Sequence, residues 1–272
     1  VWELWGPLLY GGTVVVVDYL TSRSPEQFRE LVVRERVTVL NQTPSAFYQF
    51  AEADRMAGDS AGSLSLRHVI FGGEALDLSQ LVRWYDRHDD SSPRLVNMYG
   101  ITETTVHVSF SALDSVMVRE ASGSVIGRGL GGLSVFVLDD RLSPVPVGVR
   151  GEMYVAGGQL SRGYVGQPGL TAGRFVANPF GRSGSGDQMY RTGDIARWSV
   201  DGVLEYAGRS DSQIQLRGFR IELGEVEAAV LRVPGVAGAV AVVRSDVALG
   251  DRLVGYVVPE AGMDLAASVV ST

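Results

Sequence analysis

The chain has 272 residues, contains no cysteine and carries a formal charge of −7. The lack of cysteine excludes disulfides and thiolate metal sites, and the acidic balance argues against non-specific binding to nucleic acid. The sequence has no run of about 18 apolar residues, and no basic start leads into an apolar stretch. We therefore expect a cytoplasmic protein with neither a nucleic-acid partner nor a membrane partner.

The first part of the chain alternates between predicted strands and predicted helices. Ser24 and Pro25 have the residue types of a helix N-cap and first turn. Strands are predicted at 13–17, 37–40, 68–71 and 95–98, and helices at 25–36, 44–56 and 78–87. This alternation predicts a parallel sheet covered by helices. Polar or glycine-rich residues follow three of the strands, at 41–43, 72–74 and 97–103, so one ligand site is expected at that edge of the sheet.

The character of the sequence changes twice further on. Residues 115–210 are rich in Gly and Val, and Asp201-Gly202 separates two strand-like segments as in a hairpin. After Asp211 the pattern predicts a helix at 223–231 and strands at 236–243 and 253–258. The predicted fold class is α/β. Its expected parts are a partial parallel-sheet lobe (1–112), a β-rich barrel-like subdomain (113–210) and the start of a small, mobile α+β C-terminal domain (211–272).

The segment 97–105 is the most informative part of the sequence. Tyr99 can stack on a base, and Gly100 allows close approach of the backbone. Thr102 can donate to a phosphate oxygen, and Glu103 is an oxygen ligand of the kind that Mg²⁺ takes beside phosphates. A polar turn after a strand would also account for this segment taken alone.

Four segments in order resemble the motifs of the adenylate-forming enzymes: 97–105, 151–164, 190–194 and 208–227. The closest resemblance is to the amino-acid adenylation domain of nonribosomal peptide synthetases. Residues 1–12 resemble an earlier motif of that domain, cut at its start. The resemblance covers essentially the whole chain, and five ordered motifs are far more specific than one glycine pattern.

This resemblance implies a site for ATP and Mg²⁺. Thr102 and Glu103 would be the catalytic residues, with Glu103 as the metal ligand, and Asp194 would accept from the ribose hydroxyls. The implied nucleotide-binding residues are Gly73, Glu74, Asn97, Tyr99, Gly100, Asp194, Tyr206 and Arg209. Simpler explanations exist for single residues: Asp194 could cap a hairpin, and Glu74 could complement a helix dipole.

The same resemblance implies an amino-acid pocket and a second reaction step. The implied pocket residues are Trp2, Asn41, Ile70, Gly72, Met98, Val106 and His107, a combination that resembles the one associated with threonine. The activated amino acid would pass to the phosphopantetheine thiol of a peptidyl carrier domain within a larger synthetase. Asp211 would be the hinge of the C-terminal domain.

Two alternatives remain open. One is an acyl- or aryl-CoA ligase of the same superfamily, and the other is an inactive fragment. The implied phosphate loop and amine-binding aspartate lie upstream of this sequence, and all 24 basic residues are Arg, so the family's C-terminal lysine has no counterpart. We expect a domain truncated at both ends that has little adenylating activity by itself.

Overall fold

The computed structural model describes residues 2–58, 62–120, 123–181, 187–246 and 250–260. They fall into two compact units, Val1–Ser210 and Asp211–Thr272. The described α-helices are α1 (Trp2–Leu9), α2 (Tyr19–Arg23), α3 (Pro25–Arg34), α4 (Pro44–Ala57), α5 (Val82–Tyr85), α6 (Ser115–Glu120), α7 (Pro168–Arg174) and α8 (Leu223–Leu231). No helix in these residues is both long enough and apolar enough to cross a membrane.

The strands of the first unit form one continuous sheet. They are β1 (Val39–Gln42), β2 (His68–Phe71), β3 (Arg94–Asn97), β4 (Ser109–Ala112), β5 (Ser124–Gly129), β6 (Leu133–Leu138), β7 (Gly151–Gly157), β8 (Phe175–Ala177), β9 (Gln188–Trp198) and β10 (Leu204–Arg209). Their order is β1-β2-β3-β4-β5-β10-β9-β7-β6, and β8 pairs with β9. The pairs β1–β2 and β2–β3 are parallel, and the remaining pairs are antiparallel.

The main core lies between the parallel strands and helices α3, α4 and α5. Phe47 and Phe50 lie one turn apart on α4 and are almost fully buried against Trp84 of α5. Thr43 caps α4, because its side chain accepts a hydrogen bond from the Ala46 N–H group and Pro44 begins the helix. These contacts anchor the helix that follows β1, and so they fix the end of β1 where Asn41 lies.

The predicted fold class is confirmed, with differences in detail. The β-rich part is an open sheet continuous with the parallel strands, and no closed barrel occurs in the described residues. The predicted strand at 13–17 is wrong. These residues are in no strand, because β1 is the edge of the sheet and pairs only with β2 among the described strands. The predicted helix at 78–87 is a 3₁₀ turn (Leu78–Leu81) followed by the four-residue α5.

The described residues of the second unit form two antiparallel strand pairs and one helix. Strand β11 (Gln213–Leu216) pairs with β12 (Phe219–Glu222), and β13 (Val236–Asp246) pairs with β14 (Gly250–Pro259). Glu227 of α8 accepts a hydrogen bond from the Ala241 N–H group of β13 at 2.9 Å, which ties the helix to this hairpin.

Candidate nucleotide and amino-acid site

The loop between β3 and β4 has a tightly constrained backbone. A Cβ atom on Gly100 would lie 1.6 Å from the carbonyl oxygen of Val106, so no other residue fits there without movement of the backbone. Thr105 and Val106 have φ angles of 55° and 74°, which are unfavourable for β-branched residues. The Val108 N–H group donates to the Tyr99 carbonyl at 2.7 Å and closes the loop. The backbone therefore holds the side chains of this loop in fixed positions.

Asp194 lies at the centre of a buried polar cluster. Its carboxylate accepts a hydrogen bond from the Tyr99 hydroxyl. It also forms an ion pair with the Arg209 guanidinium, with 2.7 Å between Nη1 and Oδ1. Both members of the ion pair are less than a tenth exposed. Burial, and then the charge of Asp194, raises the pKa of Tyr99 well above its usual value, so this hydroxyl remains a donor. A carboxylate has about four acceptor positions, so one such group can accept from several donors at once.

Glu103 lies in a 3₁₀ turn, Thr102–Thr104, and is 6% exposed. Its Oε1 atom accepts from the hydroxyls of Tyr164 at 2.6 Å and Tyr190 at 2.9 Å. Burial, and then the hydrogen bond to Glu103, raises the pKa of Tyr164. Thr102, in contrast, is exposed, so its hydroxyl is accessible to a ligand.

Two of the implied nucleotide-binding residues, Glu74 and Asn97, form hydrogen bonds with other residues of the chain. Glu74 accepts from the backbone and side chain of Ser45, both at 3.0 Å, in the first turn of α4. The Asn97 amide is buried and donates to the Val125 carbonyl at 2.7 Å, which links β3 to β5. Gly73 has a φ angle of 85°, which favours glycine at this position.

A cavity of about 590 Å³ lies beside this region. Leu76, Asp77, Ser79, Ser124, Tyr206 and Gly208 are among its lining residues. Tyr206 also lies 6.4 Å from Tyr99 between ring centroids, so the cavity adjoins the cluster around Asp194.

The implied amino-acid pocket residues lie close together. The rings of Trp2 and His107 meet edge to face with 5.9 Å between their centroids. A Cβ atom on Gly72 would lie 3.3 Å from the His107 ring and 3.5 Å from the Met98 carbonyl. Asn41 and Ile70 are paired neighbours on β1 and β2. Residues from α1, two parallel strands and the constrained loop thus surround one small region.

Several polar atoms in this region are buried and have no hydrogen-bond partner within the described part of the chain. They are Trp2 Nε1, Asn41 Oδ1, Gln42 Oε1 and His107 Nε2. Buried polar groups in folded proteins are nearly always paired, so these atoms are open to ordered water or to a polar ligand. Burial lowers the pKa of His107, which keeps its ring neutral near pH 7 and able to bind a hydroxyl.

The site fits a metal ion only in part. Among the described residues, no group of three or more His, Cys, Asp or Glu side chains is arranged to hold one. Mg²⁺ in nucleotide enzymes takes one or two carboxylates and completes its shell with phosphates and water. A single buried carboxylate at Glu103 therefore fits Mg²⁺ carried by ATP, and it does not fit a dedicated metal site.

Sequence reasoning missed several residues that the structure brings to the site. Gln42 contributes one of the orphaned atoms, and Gln159 donates to the carbonyls of Thr104 at 3.3 Å and His107 at 3.0 Å. Tyr164 and Tyr190 lie inside the motifs quoted above, but nothing in those motifs indicates that their hydroxyls meet at Glu103. Their separations from Glu103 along the chain, 61 and 87 residues, hide the contact.

A sequence model of the AMP-binding enzyme family matches residues 1–165 of this chain. The chain belongs to this family. Among other members, a dimodular nonribosomal peptide synthase of Bacillus subtilis is 58% identical over 95% of this chain, which corresponds to 11% of that protein. Syringomycin synthase SyrB1 of Pseudomonas syringae is 45% identical over 97% of this chain and 42% of its own length.

Solved structures of the family agree with these relatives. IdnL1 superposes with a TM-score of 0.79 at 30% identity, over 96% of this chain and 51% of its own. PA1221, a nonribosomal peptide synthetase protein with adenylation and PCP domains, gives a TM-score of 0.80 at 28% identity, over 96% of this chain and 43% of its own. The predicted resemblance to adenylation domains is confirmed, and the chain spans between 11% and 51% of the length of each relative named here.

Proposed function

We propose that this chain is part of an adenylation domain that joins threonine to AMP, with release of pyrophosphate from ATP. In a second step, the aminoacyl group would pass to the phosphopantetheine thiol of a peptidyl carrier domain. Membership of the AMP-binding family supports the first step. The adenylation and PCP domains of PA1221 support the choice of acceptor over coenzyme A.

The polar atoms that have no partner in the described residues are the observation that favours threonine as the substrate. Apolar surface from Trp2, Ile70 and Met98 suits a small side chain, and Gly72 leaves room for it. Asn41 Oδ1 and His107 Nε2 are available to bind a side-chain hydroxyl, because neither has another partner in the described residues. Val106 lies in the strained part of the loop and would place His107 against the substrate.

The proposed chemistry relies on position and charge. The ribose would be bound by Asp194 and Arg209. The base would pack beside Tyr99 and Tyr206. The backbone around the nucleotide would be shaped by Gly73, Glu74, Asn97 and Gly100. Thr102 would donate to a phosphate oxygen. Mg²⁺, held by Glu103, would neutralise charge on the phosphates. Catalysis of this kind comes from holding the carboxylate and the α-phosphate in line and stabilising the developing charge.

The proposed organisation is an α/β lobe at 1–112, a β-rich subdomain at 113–210 and a C-terminal domain from 211. Asp211, the first residue of the second compact unit, is the proposed hinge. Its backbone would absorb the rotation that brings the C-terminal domain to the site in each half-reaction.

The substrate is tested in a hybrid synthase in which residues 2–260 of this chain replace the matching segment of the Bacillus subtilis dimodular synthase. Threonine should support ATP–pyrophosphate exchange ~10⁴-fold better than valine, because a pocket that binds a hydroxyl rejects an analogue that lacks it. His107→Ala and Asn41→Ala should reduce this preference. His68→Ala, at the far end of β2, is the matched control and should leave it unchanged. Equal exchange with valine and threonine in the unsubstituted hybrid would disprove the substrate.

A further inference from the structure

Glu103 is held by two tyrosines that come from separate parts of the chain. Tyr164 lies in the loop after β7, and Tyr190 is on β9. Both hydroxyls lie within 3 Å of the same carboxylate oxygen, and they lie 3.0 Å from each other. Hydrogen bonds to an ionised carboxylate are roughly twice as strong as those between neutral groups, so this pair stabilises the charged form of a buried side chain.

Packing fixes both rings. Phe175 contacts the ring of Tyr190, with centroids 4.9 Å apart, and the ring of Tyr164, with centroids 5.9 Å apart. Ile101, which is in the same turn region as Glu103, is buried in the same apolar cluster. The Ser161 N–H group also donates to the Glu103 carbonyl at 2.8 Å, so the loop that carries Tyr164 holds both the backbone and the side chain of Glu103.

We propose that Tyr164 and Tyr190 are positioning residues, whose hydroxyls fix the direction in which Glu103 presents its carboxylate to a divalent cation. The inference rests on the proposed role of Glu103 as the Mg²⁺ ligand. Neither tyrosine needs to touch the cation. Groups that orient a metal ligand in this way are worth ~10–100-fold in metal affinity or activity.

The first test measures binding and needs no catalysis. Free Mn²⁺ is titrated by electron paramagnetic resonance against the 272-residue chain in the presence of α,β-methylene-ATP. Tyr164→Phe and Tyr190→Phe should each weaken Mn²⁺ binding about tenfold. Glu103→Gln should abolish it. Tyr154→Phe is the matched control, because this buried tyrosine lies in the same sheet and its hydroxyl makes a single long hydrogen bond within the described residues, 3.5 Å to Glu152.

A second readout separates positioning from a general loss of structure. In the hybrid synthase, the Phe variants should need about tenfold more Mg²⁺ for half-maximal exchange, with an unchanged KM for threonine. If both Phe variants bind Mn²⁺ as the unsubstituted chain does while Glu103→Gln does not, the positioning role is wrong and the metal role stands. If Glu103→Gln binds normally, the metal role fails, and the positioning role fails with it. Exchange that threonine does not stimulate would disprove only the proposed substrate.

Discussion

Gly100 lies against the backbone of its own loop. Substitution by alanine would place a methyl group 1.6 Å from the Val106 carbonyl oxygen. The loop would have to open, and we expect Gly100→Ala to lower the free energy of unfolding by about 3 kcal/mol. Gly158→Ala is the control, because a Cβ atom there meets no atom within 4 Å. Thermal unfolding of both variants checks the difference, and equal midpoints would contradict the close contact.

His107 gives the site a dependence on pH. Burial lowers its pKa below the unfolded value of about 6.5, although Glu3 opposes the shift. The unfolded chain therefore binds the proton first, and stability should fall as the pH drops from about 6.5 through the folded-state pKa. His107→Gln removes this contribution. Urea unfolding at pH 8 and pH 5 should show a smaller loss of stability in the variant, and identical losses would show that His107 does not titrate in this range.

At the scale of elements, the loop after β7 supports the constrained loop after β3. The backbone carbonyl of Gln159 accepts a hydrogen bond from the Thr105 hydroxyl at 2.6 Å. The side-chain amide of Gln159 donates to the carbonyls of Thr104 and His107. Gln159→Ala removes the two side-chain bonds, each worth about 1 kcal/mol. In the hybrid synthase we expect a higher KM for threonine, since His107 loses its support. The exposed Gln167, changed to Ala, should have no such effect.

Some elements could be predicted from the sequence and others could not, for identifiable reasons. The strand His68–Phe71 and the helix Leu223–Leu231 have the bounds that local pattern indicated. The β-branched run at 13–17 had the right residue types, but a strand also needs a neighbour with which to pair. In the site, the motifs indicated Glu103 and Asp194. Tyr164 and Tyr190, which bind Glu103, and Tyr99, which binds Asp194, are 61, 87 and 95 positions away from their partners, and local pattern carries no information about these contacts.

At the scale of the molecule, the first unit exposes several large apolar side chains in and just after α1. Trp5, Leu8, Leu9 and Tyr10 are each more than half exposed, and so are Val16, Tyr19 and Leu20 further along the chain. Patches of this kind mark surfaces that bind other protein or cause aggregation.

We therefore expect the 272-residue chain to bind the dye ANS in its folded state and to self-associate with increasing concentration. Leu9→Gln with Tyr10→Ser should reduce both effects, since the two side chains are 72% and 91% exposed. Val165→Gln is the control, because Val165 is fully exposed away from α1 in the sequence. Sedimentation velocity and dye fluorescence give the comparison. A monomeric chain that does not bind the dye would show that the area is covered in solution.

The continuity of the sheet has a consequence for how the site opens. Asn97, Asp194 and Arg209 lie on β3, β9 and β10, which are joined through β4 and β5 by consecutive strand pairs, with register shifts along β10. Backbone amides in such a ladder exchange with solvent only when neighbouring strands separate. The two ends of the nucleotide site should thus lose their amide protection together, as one cooperative unit, while α1 exchanges early. A destabilising change far from the site, anywhere along this ladder, would then raise the fraction of molecules in which the whole site is open.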